Sequence, residues 1–352
     1  VVAVTDSDLP FPIEAGIRLE EQASFHPLRY CHALAAAVDG EGSRVYEESR
    51  AVTVEEKESP AMIRTSSGAT VRAPSVILAC GMPFLDRAGF FARLQPSRSY
   101  CVAMDGASTI PDSLSINAGE PTFSIRPLTA PDGKRFLLIS GAGHEVGRAE
   151  DTEASYDTLE AFGRRHFGAD EVIARWSAQD YLPIDGLPLI GRMPLSADSV
   201  YVAAGFAKWG LTMGTAAARI LRGLIFEDEN PWSQPFDAQR AQIPKELGTV
   251  VKEGASDAKR FVGDRIRQGT APSVDDLAPG AGGIHRHEGK VVAAFRDDDG
   301  RLYMVSPTCT HMGCRVSWNE AERSWDCPCH GSRFSIEGEI LNGPAVKPLE
   351  AR

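Results

Sequence analysis

The sequence predicts a large α+β domain followed by a small all-β domain. Three observations carry this prediction. The chain has 352 residues, enough for two domains at about 150 residues each. Strand-like and helix-like segments mix up to residue 226, whereas residues 267–352 hold only short strand-like runs. Between them, residues 227–266 are acidic, polar and Pro-containing, the composition of a connector with one or two helices.

The elements follow in order. Phe25-His26-Pro27-Leu28-Arg29-Tyr30 leads into an Ala-rich helix near residues 31–38. Residues 43–47, 52–55 and 62–65 alternate partially and predict strands, with a turn at Ser66-Ser67-Gly68. Residues 76–80 are a short apolar run ending at Gly81, the pattern of a buried strand. Residues 136–140 form another such run. Gly141-Ala142-Gly143 follows, but the next glycine is Gly147 and residues 150–157 are polar. That spacing, G-x-G-x-x-x-G, predicts a turn and not a phosphate loop. Residues 159–167 suit a short helix. Residues 201–204 are apolar and end at Gly205, and residues 211–225 read as a buried helix opening near Gly210. Beyond the connector, residues 279–283 form a Gly/Pro turn. Strands are expected at 290–295, 302–305 and 332–336, before a Glu337-Gly338 turn.

Composition excludes several classes. A net charge of −11 argues against nucleic-acid binding. No run approaches the roughly 18 uncharged apolar residues of a spanning helix, so no transmembrane segment is expected. The first residues show no signal peptide, and a cytoplasmic location is expected, with peripheral membrane association left open. They read as the middle of a domain, as though the chain were a fragment. Seven cysteines are too sparse for a disulfide scaffold. Cys31, Cys80 and Cys101 are expected to be small packing residues.

The other four cysteines crowd together in Cys309-Thr310-His311-Met312-Gly313-Cys314 and Cys327-Pro328-Cys329-His330-Gly331-Ser332. Read as ligands, this is C-x-H, fifteen residues, then C-x-x-H. Two thiolates and two imidazoles on two short loops can clamp a metal from opposite sides, and they suit iron or zinc. The pattern closely resembles a Rieske [2Fe–2S] domain, and the tail at Trp325-Asp326, Phe334 and Asn342-Gly343-Pro344-Ala345 fits too. The resemblance covers residues 267–352. It implies that Cys309 and Cys327 hold one iron and that His311 and His330 hold the other. It also implies a loop-bridging disulfide between Cys314 and Cys329. High-potential members carry a Ser and a Tyr that donate hydrogen bonds to sulfur. Here Ser332 is present but the Tyr position is Phe334, so a lower potential is expected. The remaining histidines, His26, His32, His144, His166, His285 and His287, show no oxygenase iron-site spacing. His285 and His287 are expected in a solvated loop.

In the first part, three segments stand in order: 25–38, 71–84 ("VRAPSVILACGMPF"), and Asp185-Gly186-Leu187-Pro188-Leu189-Ile190-Gly191 with "VYVAAGFAKWGLTMGTAAARIL" at 200–221. Together they resemble DAO-type flavin oxidoreductases, the glycine and D-amino-acid oxidase group. Residues 1–226 then form the C-terminal part of such a domain. Its FAD-contacting parts lie near 43–84 and 183–226, and a substrate-type sheet lies near 90–182. The FAD-binding fold would be incomplete, its phosphate loop lying before Val1. The resemblance implies that Gly205, Trp209, Gly210, Leu211 and Thr212 meet the flavin ring through a helix N-terminus, which stabilises negative charge. It places Ala79, Cys80 and Gly81 close to the cofactor and Val52 by its adenosine half.

The implied activity is FAD-dependent oxidation of a C–N bond in an amine or amino acid, with electrons relayed through the [2Fe–2S] cluster to an unknown acceptor. The group's amino-acid oxidases place an Arg where this chain has Asp180, which favours an amine. Arg98 or Arg126 could supply the positive charge from elsewhere, but each reads as a surface residue. No catalytic base singles itself out. The alternative is an electron-transfer Rieske protein whose flavin-like domain is non-catalytic.

Overall fold

A computed structural model describes residues 1–56, 60–85, 87, 89–240 and 271–352. Residues 241–266 of the expected connector lie outside the described residues.

A five-stranded antiparallel sheet organises the first domain. Its strands run in the order Glu171–Pro183, Leu94–Asp105, Arg135–Glu145, Phe123–Thr129 and Ser115–Ile116. Side chains alternate across a strand, so each sequence fixes two faces. One face carries Tyr100, Val102, Met104, Ile125, Leu137 and Ile139. The helix Glu153–Phe167 covers it with Tyr156, Leu159 and Phe167, which recur at helical spacing, and Gly168 ends the helix in the left-handed region. The opposite face carries Ser97, Ser99, Cys101, Ser124, Arg126, Ser140, Trp176 and Asp180, by the register Ser97↔Asp180, Cys101↔Trp176, Cys101↔Ser140 and Ser140↔Ser124.

A second, three-stranded sheet has the order Leu189–Arg192, Val200–Ala204, Val76–Leu78. The last two strands are parallel, with Val200 opposite Val76. The helix Gly210–Phe226 packs on this sheet through Ala217, Ile220 and Leu221. A third sheet is the antiparallel meander Ala51–Glu55, Ala61–Thr65, Thr70–Ala73. The helix Pro27–Val38 starts at His26, whose Nδ1 accepts from the Arg29 N–H, and none of its residues is buried.

The second domain is a pair of small antiparallel sheets, Gly282–His287/Lys290–Arg296/Leu302–Val305 and Ser317–Asn319/Ser324–Asp326/Arg333–Phe334/Ile340–Asn342. Trp318 stacks on Phe295 at 4.8 Å and leans on Trp325 at 4.7 Å, filling the space between them. Among the described residues, no helix is long and apolar enough to cross a membrane.

Several local expectations change. Residues 43–47 form no strand; only a bridge from Gly40 to Ser43 remains. Gly141-Ala142-Gly143 is no turn. It lies within the strand Arg135–Glu145, where the register shifts between Gly141 and His144. Expected strand 332–336 shrinks to Arg333–Phe334, and the expected turn at 279–283 ends at Gly282, where a strand begins. His285 is buried in that strand, its Nδ1 3.1 Å from the Ser273 carbonyl oxygen.

Candidate functional site: a metal centre docked on a cofactor cleft

Two tight loops present the four metal-ligand candidates. In the first, Cys309 N–H donates to Cys314 O and Gly313 N–H to Cys309 O. In the second, Gly331 N–H donates to Cys327 O and Cys327 N–H to Ser332 O. These bonds turn Cys309 and Cys327 inward, where both are buried. Cys309 Sγ accepts from Cys327, from the N–H groups of His311 and Met312, and from the Ser332 hydroxyl, which hold its thiol below the usual range despite burial. The same contact with Cys309, and then burial, push the Cys327 thiol up. Opposite them, His311 Nδ1 and His330 Nδ1 face each other at 3.3 Å. Burial, and then the His311 ring, lower His330 to about 4, so its imidazole is neutral at pH 7, the form that binds metal. Cys314 and Cys329 form a disulfide that ties the two loops together, and Cys327 Sγ lies within 4.8 Å of its sulfurs. Two buried thiols and two converging Nδ1 atoms suit a cluster with sulfur ligands on one side and nitrogen ligands on the other.

The buried charges beside the loops are matched. Arg333 Nε donates to Asp326 Oδ1 at 2.9 Å and its Nη2 to Ser324 Oγ at 2.8 Å, while Asn319 Nδ2 donates to Asp326 Oδ2 at 2.8 Å. Asp326 and Arg333 flank the second loop, so this network fixes its two ends.

The centre is seated on the first domain. The Phe91 ring meets the His330 ring edge-on at 4.9 Å. Arg98, expected at the surface, is 3% exposed and pairs with Glu322 at 3.1 Å. Tyr156 Oη donates to the same carboxylate at 2.7 Å, and Ala321 N–H donates to Thr152 Oγ1 at 3.0 Å. Arg50 Nη2 donates to Ile340 O at 2.9 Å. A cavity of about 400 Å³ lies at this junction. Ala51, Cys80, Gly81 and Tyr181 line one side of it and residues 341–346 the other.

The flavin-contact candidates fall partly together. The parallel strands Val76–Leu78 and Val200–Ala204 deliver Ala79, Cys80 and Gly81, and then Gly205, to one end of their sheet. Carboxyl ends of parallel strands are where α/β folds hold ligands. The helix after Gly205 begins at Gly210 with Trp209 as its N-cap, and no side chain caps it. Its first helical bond is Met213 N–H to Trp209 O, so the amides of Gly210, Leu211 and Thr212 precede any intrahelical acceptor. An uncapped helix start at these strand ends fits the anionic edge of a reduced flavin. Val52 sits apart, half-buried on the third sheet beside Ala51 of the cavity wall. Cys80 is half-buried and burial raises its thiol. Cys31, expected to pack, is exposed.

The open face of the five-stranded sheet was not singled out by sequence. Lys208, just before the helix, reaches it and donates to Ser99 Oγ at 2.6 Å. Cys101 Sγ bonds Ser140 Oγ at 3.1 Å. Asp180 is raised by burial, with Lys208 opposing the shift. Strand alternation at 97–101 and 176–180 was the signal that could have grouped these residues.

Comparison with known proteins identifies the two parts. The chain matches the FAD dependent oxidoreductase family (DAO) over residues 3–224. It belongs to that family. A Rieske [2Fe–2S] domain matches residues 270–351. The DAO domain implies FAD and the Rieske domain a [2Fe–2S] cluster. YhfW of Bacillus subtilis (strain 168), named as a Rieske 2Fe–2S iron-sulfur protein, is 36% identical over 348 residues, 97% of this chain and 67% of that protein. The cytochrome b6-f complex iron-sulfur subunit of Chlorobaculum thiosulfatiphilum is 39% identical over 88 residues, 25% of this chain and 46% of that protein. Among solved structures, glycine oxidase from Geobacillus kaustophilus aligns with a TM-score of 0.48 and 22% identity, covering 57% of this chain and 55% of that one. The Rieske protein PetC3 from Synechocystis PCC 6803 aligns with a TM-score of 0.21 and 33% identity, covering 23% of this chain and 83% of that one. The chain thus spans about two thirds of YhfW and about half of the glycine oxidase.

Proposed function

We propose that this DAO–Rieske protein oxidises a C–N bond of an amine or amino acid and passes the electrons through its Rieske centre to an external acceptor. The observation that carries this reading is the shared cavity, in which Cys80 and Gly81 face the loop 341–346 beside the metal centre. When bound, FAD would supply a two-electron acceptor and the cluster a one-electron carrier.

The residues divide the work. Cys309, Cys327, His311 and His330 hold the cluster, and the Cys314–Cys329 disulfide braces their loops. Gly210, Leu211 and Thr212 direct amides at the flavin, Trp209 and Gly205 shape that end of the cleft, and Ala79, Cys80, Gly81 and Val52 line the rest. The polar sheet face receives the substrate. Asp180 offers a carboxylate for an ammonium group, and Lys208 and Arg126 offer charge for a carboxylate, so amines and amino acids both fit. Hydride loss needs the amine neutral, and no general base is assigned. A cytoplasmic location belongs to the same reading, and cell fractionation tests it.

The experiment is an anaerobic panel of amines and amino acids added to the intact holoprotein. Bleaching of the flavin by one class supports the reading and selects the substrate. Bound flavin that no C–N substrate bleaches sinks the catalytic part and leaves an electron-transfer protein with a non-catalytic flavin-like domain.

A further inference from the structure

Two side chains on one strand reach both halves of the molecule. Gln179 and Tyr181 are two apart in the strand Glu171–Pro183, so they share a face. Gln179 Nε2 donates to Gly331 O at 2.7 Å and lies 2.8 Å from Tyr181 Oη. Tyr181 Oη donates to Gly343 O at 3.2 Å. Gly331 directly follows His330. Gly343 lies in the loop where Ala345 N–H donates to Ser332 Oγ at 3.0 Å, and the Ser332 hydroxyl in turn bonds Cys309 Sγ. The Gly331 carbonyl therefore adjoins a candidate metal ligand, and the Gly343 carbonyl lies two residues before the amide that bonds Ser332.

The other side of the Tyr181 ring rests on the flavin cleft. A Cβ added to Gly81 would lie 2.6 Å from the Tyr181 ring carbons. A Cβ on Gly331 would lie 2.6 Å from Pro96 Cβ and 2.7 Å from Gln179 Nε2. Gly331 also has φ +75°, which a side chain resists. Backbone contact this close at both ends leaves no slack between the cleft wall and the cluster loop.

We propose that Gln179 and Tyr181 are positioning residues that clamp the cluster loop to the wall of the flavin cleft, at Gly331 and Gly343 on one side and Gly81 on the other. This rests on the electron-relay reading above. The clamp holds the metal centre at one fixed separation from the flavin, instead of letting the domain swing between donor and acceptor. The ion pair Arg98–Glu322 holds the other edge of the interface, so loss of the clamp loosens the loop without releasing the domain.

The test uses the intact holoprotein with Gln179→Leu and, separately, Tyr181→Phe, which keeps the ring against Gly81. Iron content and the reduced-cluster EPR spectrum establish that the centre still assembles. Amide hydrogen exchange at residues 331–334 and 343–345 reads the loop, and the rate of cluster reduction after the flavin is photoreduced reads the coupling. Both variants are expected to speed exchange at both segments at least tenfold and to slow cluster reduction at least tenfold, with two irons retained. Unchanged exchange and an unchanged rate in both variants overturn the clamp. If the wild-type cluster stays oxidised beside a photoreduced flavin, the relay reading fails instead, and exchange alone then decides whether the clamp holds the loop.

Discussion

At the scale of single residues, Phe334 is the most telling departure. It is fully buried in the core cluster that contains Cys309 and Cys327. Phe carries no donor, so one hydrogen bond that would favour the reduced cluster is missing. Phe334→Tyr is expected to raise the midpoint potential in a redox titration, and no rise would mean that a hydroxyl at this position donates to no cluster sulfur. Asp326 is 2% exposed and bound to Arg333, Ser324 and Asn319. Asp326→Ala strands the Arg333 charge and should destabilise the Rieske domain by about 3–5 kcal/mol in denaturant unfolding. Glu322 shows a pH effect. Burial raises its carboxyl, but Tyr156, Arg98 and Arg333 outweigh that and leave it lowered. A carboxyl lowered in the folded state contributes stability that is complete above its unfolded value, about 4.3, and is lost as pH falls through the folded value. Acid should therefore loosen the interface below about pH 4. Glu322→Gln should flatten that acid limb in pH-dependent unfolding.

At the scale of elements, the disulfide joins loops separated by 15 residues. A loop of that length gains about 3 kcal/mol from closure. Cys314→Ser should lower the stability of the apo Rieske domain by about that amount and speed cluster loss under chelator, followed by the cluster's visible absorbance. These loops are legible in the sequence because the candidate ligands sit within a few residues of one another and glycines mark the turns. The helix Gly210–Phe226 was legible because its apolar residues keep helical spacing between a strand and an acidic break. Gly141-Ala142-Gly143 reads as a turn because a glycine run looks the same in a turn and in a strand that shifts register, and only the neighbouring strands decide between them. Residues 43–47 alternate yet find no partner strand beyond one bridge. Alternation licenses a strand, but pairing makes it.

At the scale of the molecule, both domain families could be read from sequence, whereas their docking could not. Arg98 meets Glu322 across 224 positions and Gln179 meets Gly331 across 152. No local pattern encodes such pairs, and Arg98 looked like any other surface arginine. The polar sheet face was hidden for the same reason, since Ser99, Cys101, Ser140, Asp180 and Lys208 come from four separate segments. The docked arrangement sets the Rieske loops against the wall that carries Cys80 and Gly81, the junction across which electrons are proposed to pass. The most direct measurement is rapid-freeze EPR on the intact, anaerobic holoprotein after its flavin is reduced by substrate or by light. The rhombic signal of a reduced Rieske cluster is expected to grow as the flavin gives up electrons. A flavin that stays fully reduced beside an EPR-silent, oxidised cluster would rule out the relay.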